Sequence, residues 1–197
     1  GHGTSIAGII AAANDEVGIT GINPNVEIYS AKVFNGTNSA PLSRILNGIY
    51  WAIEKNVDII NMSFGVPNDS PALKKAIDSA CEKGILVVAA VGNNGNDSEV
   101  LYPAEYDNVL GVGSIDSMGK ISDFSSVGHG VDVVAPGENI ISTSILNGVV
   151  GTEGTSMSVP HVVGVASLLM EKDLSRDGKF ISGLLKSSAR DLGDESK

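Results

Sequence analysis

Apolar positions along this chain follow two rhythms, a helical one and a strand one, and the rhythms alternate. Over 1–13, Ile6, Ile9 and Ile10 share one side of a helix, and the small Ala7, Gly8 and Ala11 permit close approach of a neighbour. A polar turn follows at 14–18. Residues 26–34 alternate Val26, Ile28, Ser30, Lys32 against Glu27, Tyr29, Ala31, Val33 between Pro24 and Gly36, which predicts a strand. Ile45, Leu46, Ile49, Tyr50 and Ile53 recur at helical spacing over 42–56, and that helix runs straight into an apolar strand at 57–63. The pair then repeats. Ser70 offers a capping hydroxyl, Pro71 suits a first helical turn and Gly84 ends the helix, after which 85–91 is the continuous apolar run of a strand buried on both faces. Shorter strands are predicted at 109–114, 131–134 and 140–143, and helices at 156–172 and 180–187.

Strands alternating with helices of this length imply right-handed crossovers, so the expected class is α/β, a three-layer α/β/α arrangement around a mainly parallel sheet. No repeat, low-complexity tract or linker divides the 197 residues, and one domain is expected over 1–197. Thirteen basic residues against 23 acidic give a formal charge of −10, which repels nucleic acid and anionic membranes. The acidity fits a solvated surface or a cation-binding one. A single cysteine, Cys81, excludes an intrachain disulfide and sits at packing positions of the 71–83 helix. No apolar run approaches the ~18 residues needed to span a bilayer.

Two chemical features emerge. Ser156 follows Gly154 and opens the long 156–172 helix, where unpaired amides and the helix dipole favour developing negative charge; the same place suits an ordinary helix cap. A serine nucleophile needs a base, and three histidines are candidates: His2 between glycines, His129 in a Gly-bounded turn, and His161 inside the helix. Spacing does not choose among them. Asn93 follows Gly92 at the end of the apolar 85–91 strand, where α/β sheets bind ligands, and a plain turn is the alternative.

Gly1-His2-Gly3-Thr4, Ala89-Ala90-Val91-Gly92-Asn93 and Gly154-Thr155-Ser156-Met157-Ser158-Val159-Pro160-His161 resemble, in order and spacing, the histidine, oxyanion and serine motifs of the subtilisin-like serine proteases. Asp58-Ile59-Ile60-Asn61-Met62-Ser63-Phe64-Gly65 resembles that family's substrate-binding strand. Phe124-Ser125-Ser126 and Val134-Ala135-Pro136-Gly137 resemble further landmarks, and the likeness runs from Gly1 to about Asp194. It implies a serine endopeptidase acting on a protein or peptide substrate. His2 would be general base and then acid, Ser156 the nucleophile, and Asn93 an oxyanion donor beside the Ser156 amide.

By the same resemblance an extended substrate pairs with Ser63, Phe64 and Gly65, while Ala89, Ala90, Val91 and Gly92 line the pocket before the scissile bond, their small size leaving room for a large apolar side chain. The loop 13–19 resembles a calcium loop, with the Asp15 carboxylate and the carbonyls of Ala13, Val17 and Ile19 as ligands; calcium takes six to eight oxygens, so these alone are too few. The family's orienting aspartate precedes its histidine, and only Gly1 precedes His2 here. A sheet incomplete at its N-terminal side, a nearly inactive chain and a strand-swapped homodimer are therefore expected, along with a domain truncated before that aspartate and near the C-terminus. Ser5 replaces a second histidine common in the family. A pro-segment in the parent and a secreted location are implied, with a cytoplasmic one as the alternative. Two other readings compete: a peptide-binding pseudoprotease, and an α/β-hydrolase, whose G-x-S-x-G elbow lacks its second glycine at Ser158.

Overall fold

The apolar run of 85–91 lies where its sequence requires, inside a sheet covered on both faces. The computed structural model describes residues 1–36, 39–96, 98–173 and 175–192. Helix α1 (His2–Ala11) comes first, then α2 (Leu42–Glu54), β1 (Ile59–Met62), α3 (Pro71–Glu82), β2 (Leu86–Ala90), β3 (Leu110–Ile115) and β4 (Val133–Pro136). The antiparallel pair β5 (Ile140–Thr143) and β6 (Val149–Thr152), the long α4 (Thr155–Lys172) and α5 (Gly178–Ser188) complete the order. Strands β1-β2-β3-β4 form one parallel sheet in that order.

Strand β2 shows why three layers form. Every residue of it is buried, and its alternate side chains enter two different cores. Val87, Ala89 and Val91 join Ile45, Ile49, Leu73 and Ile77 of α2 and α3, whereas Leu86, Val88 and Ala90 join Val159, Val163, Met170 and Ile181 of α4 and α5. Each large aliphatic side chain so buried stabilises by roughly 1.5–3 kcal/mol relative to exposure. The predicted start of α3 is realised, with the Ser70 hydroxyl accepting from the Leu73 amide at 3.4 Å and Pro71 in the first turn.

Two elements differ from expectation. Residues 26–34 form no ladder strand: 27–32 are exposed, and none of 26–34 pairs with a strand among the described residues. An alternating pattern specifies two faces but supplies no neighbour, and between this stretch and β1 lies a groove of about 580 Å³ lined by Val26, Ile28, Val33, Ile59, Ile60 and Met62. Strand β6 was not expected, because its four residues, Val149, Val150, Gly151 and Thr152, carry only two apolar side chains and both are exposed. Gly193 and Asp194, at the far end of the family likeness, lie outside the described residues. Among those described, no helix is long and apolar enough to cross a membrane.

Candidate active site

Beyond the C-terminal ends of β1 and β2 the chain meets the start of α4. Gly154 turns into that helix with φ +125°, a value that favours glycine. Ser156 then sits in the first turn, and its hydroxyl donates to the Ser63 carbonyl at 2.9 Å. The Ser63 hydroxyl returns a bond to the Ser156 carbonyl, also at 2.9 Å, and accepts from Asn61 Nδ2 at 2.9 Å. This reciprocity has a cause in the sequence. Pro160 stands inside α4 four residues after Ser156 and has no N–H, so the Ser156 carbonyl lacks its helical donor and the Ser63 hydroxyl takes that place.

Asn93 is exposed, and its Oδ1 accepts two bonds from Thr155, one from the amide at 2.8 Å and one from the hydroxyl at 2.9 Å. With the oxygen so held, the Nδ2 donor lies beside Gly154 and has no partner among the described hydrogen bonds. The Met157 amide bonds the Gly154 carbonyl at 2.8 Å, so the Ser156 amide between these two has no partner among the described hydrogen bonds. Two donors without a described partner thus lie near the positive end of an 18-residue helix with no acidic residue in its first turn. Thr155, fully buried, holds the Asn93 amide in a contact that motif reading passed over. Its place between the helix-capping glycine and Ser156 was the available signal.

His2 is the first residue of α1, and α1 packs against α4. Strand β5 clamps that helix: Thr143 Oγ1 donates to the Thr4 carbonyl at 2.8 Å, Ser142 Oγ to the Ser5 carbonyl at 2.6 Å, and Ser5 Oγ to the Thr143 carbonyl at 3.1 Å. A serine at position 5 therefore has a structural task of its own. The His2 imidazole is held below its ordinary pKa by partial removal from water, which favours its neutral form. No carboxylate among the described residues hydrogen-bonds the ring. His161 bonds the Met157 carbonyl one turn back at 2.7 Å, a packing role, and His129 is exposed with Glu105 Oε1 3.9 Å away.

Ser63 is buried, Phe64 packs its ring edge against Phe34 at 5.3 Å, and Gly65 faces Leu101. Ala89, Ala90 and Val91 are buried in the two cores, and Gly92 turns with φ +120° beside Leu101 and Ser126. In the loop after α1, Ala13, Asp15 and Val17 are exposed and Ile19 is half-buried; Asp15 Oδ1 accepts the Val17 amide at 3.1 Å. That is an Asx turn whose carboxylate is already engaged by the backbone. No group of three or more His, Cys, Asp or Glu side chains gathers among the described residues, so a calcium ion in this loop would rest mainly on backbone carbonyl oxygens.

All 197 residues match the profile of the Subtilase family. Subtilisin DY of Bacillus licheniformis is 44% identical over 197 residues, which cover 98% of this chain and 72% of that protein. Subtilisin E of Bacillus subtilis (strain 168) is 44% identical over 197 residues, and here the chain spans about half of the relative's length, 51%. A cold adapted subtilisin-like serine proteinase superposes with a TM-score of 0.90 at 32% identity, covering 100% of this chain and 70% of that one. The prenylagaramide maturation protease PagA superposes with a TM-score of 0.85 at 31% identity, covering 96% and 72%.

Proposed function

The chain belongs to the subtilase family, and on that premise we propose that it is a serine endopeptidase domain that cuts peptide bonds through an acyl-enzyme on Ser156. The observation that carries this reading is the Asn93 amide, held twice through its oxygen by Thr155 so that Nδ2 is left to donate beside the Ser156 amide. An extended substrate lies along Ser63–Gly65 by main-chain pairing. The Ser156 hydroxyl exchanges the Ser63 carbonyl for the neutral His2 imidazole, gives up its proton and attacks the scissile carbonyl. The resulting oxyanion accepts from Asn93 Nδ2 and the Ser156 amide, groups already oriented in the resting state. His2 then returns the proton to the leaving amine, the C–N bond breaks, and water, deprotonated by the same imidazole, releases the acid product.

We further propose that turnover is slow wherever no carboxylate orients the His2 ring. No described carboxylate orients the His2 ring, and losing tautomer control costs a serine triad about 10⁴-fold. A second copy pairing along the outer edge of β1, which has no ladder partner among the described residues, is the companion proposal.

Treating the chain with a serine-directed fluorophosphonate, with Ser156→Ala as the control, tests the nucleophile. Peptide hydrolysis in the same samples tests turnover. Covalent label on Ser156 is expected even where hydrolysis is slow. Absence of both label and cleavage refutes the endopeptidase reading.

A further inference from the structure

We infer that Leu101 closes the inner end of the peptide groove, so that the substrate side chain preceding the scissile bond has to be small. The inference rests on the endopeptidase reading and deepens it by naming the substrate class. Two stretches form the walls: Ser63–Gly65, continuing from β1, and Val91–Gly92, continuing from β2. The segment at 101–102 ties them together. The Leu101 amide donates to the Val91 carbonyl at 2.8 Å, and Tyr102 exchanges both backbone bonds with Val66, at 2.8 and 2.9 Å. One residue is thus pinned to one wall and its neighbour to the other.

The Leu101 side chain fills the space between the two glycines. A Cβ placed on Gly65 would come within 2.9 Å of Leu101 Cδ1, and one placed on Gly92 within 3.0 Å of Leu101 Cγ and 3.1 Å of Cδ1. Beside Leu101 at Gly92 stands Ser126, fully buried, with its hydroxyl 2.9 Å from that same point and its amide bonded to the Gly92 carbonyl at 3.0 Å. The small residues Ala89, Ala90, Val91 and Gly92 by themselves would leave an opening for a large side chain, as the sequence suggests. A four-carbon side chain from a third segment occupies it instead. An aromatic substrate side chain would have to displace a residue whose backbone is held from both sides, and even one methylene too many in an apolar pocket changes discrimination about 10- to 200-fold.

The test reads binding, not catalysis. Fluorescein-labelled peptides ending in a free carboxylate on alanine or on phenylalanine are titrated by anisotropy against the Ser156→Ala chain, the terminal carboxylate placing the last residue at the scissile position. The alanine peptide is expected to bind about tenfold more tightly. Leu101→Gly should reverse the order, and Leu101→Ala, the milder truncation, should bring the two affinities together. Equal affinities with Leu101 present, an unchanged ratio in both variants, or no binding of either peptide would each overturn the inference. Failure of the endopeptidase reading shows separately, as absent fluorophosphonate label on the Ser156 protein.

Discussion

Thr155 links the two halves of the candidate site, because a single residue orients the asparagine on one element and begins the helix that carries the serine on another. Thr155→Val keeps the buried shape and removes the 2.9 Å hydroxyl bond to Asn93 while the 2.8 Å amide bond stays. The fluorophosphonate labelling rate of Ser156 is expected to fall, by up to roughly 10²-fold if the Asn93 amide swings by an ångström, with the thermal midpoint little changed. His161 gives a second residue-scale prediction. Burial holds its pKa below the ordinary histidine value of 6.5, with the Met157 carbonyl opposing the shift. The unfolded chain therefore binds this proton more readily than the folded one in the window just below 6.5, and stability rises with pH across it. Urea unfolding between pH 5 and 7.5 should show a shallower pH slope in His161→Gln than in the parent; identical slopes would remove His161 from the account. Spacing alone does not separate the three histidines, since each has glycine or helix signals nearby in sequence; the motif resemblance singles out His2, and the packing of His161 against Met157 is visible only in the structure.

Elements position the residues, and the helix carrying His2 is held by a hairpin that the apolar pattern half predicts. Strand β5 was legible from Ile140 and Ile141, but β6 was not, because Gly148 precedes it, Gly151 interrupts it, and Val149 and Val150 are exposed. Yet β5 supplies the Ser142 and Thr143 hydroxyls that clamp Thr4 and Ser5. Gly8 permits that approach: a Cβ there would collide with the Thr143 and Ser142 side chains. Gly8→Ala, favourable by helix propensity alone, is expected instead to destabilise by about 1–3 kcal/mol through overpacking. Denaturant unfolding decides the sign, and a stabilised variant would show that the clamp is loose. The same logic explains why 85–91 was readable and 26–34 was not. A run apolar on both faces can only be an inner strand, whereas an alternating run needs a partner that its own residues do not name.

At the scale of the whole molecule, the edge of β1 faces the groove below 26–34 and meets no other strand among the described residues. The groove joins both cores, since Ile49 and Met62 of one and Ile10, Val163 and Met170 of the other line it. Association of two copies along this edge must overcome a formal charge of −10 on each. Added salt screens that repulsion and strengthens apolar burial. Light scattering is therefore expected to show a dimer fraction that grows from low to molar salt at fixed protein concentration, and a monomer under all conditions would refute the pairing.

The order of apolar runs, the Ser70-Pro71 helix start and the three motifs around His2, Asn93 and Ser156 are local properties, and the sequence by itself determined the α/β class and the family from them. Local periodicity suffices there because a helix or an inner strand is defined by which of its own positions avoid water. The tertiary structure alone decided that Pro160 leaves a carbonyl for Ser63 to bond, that Thr155 holds Asn93, and that Leu101 stands between Gly65 and Gly92. Each of these joins residues that are distant in sequence through a distance of about 3 Å. No spacing rule encodes such a distance, because it is set by how whole elements pack.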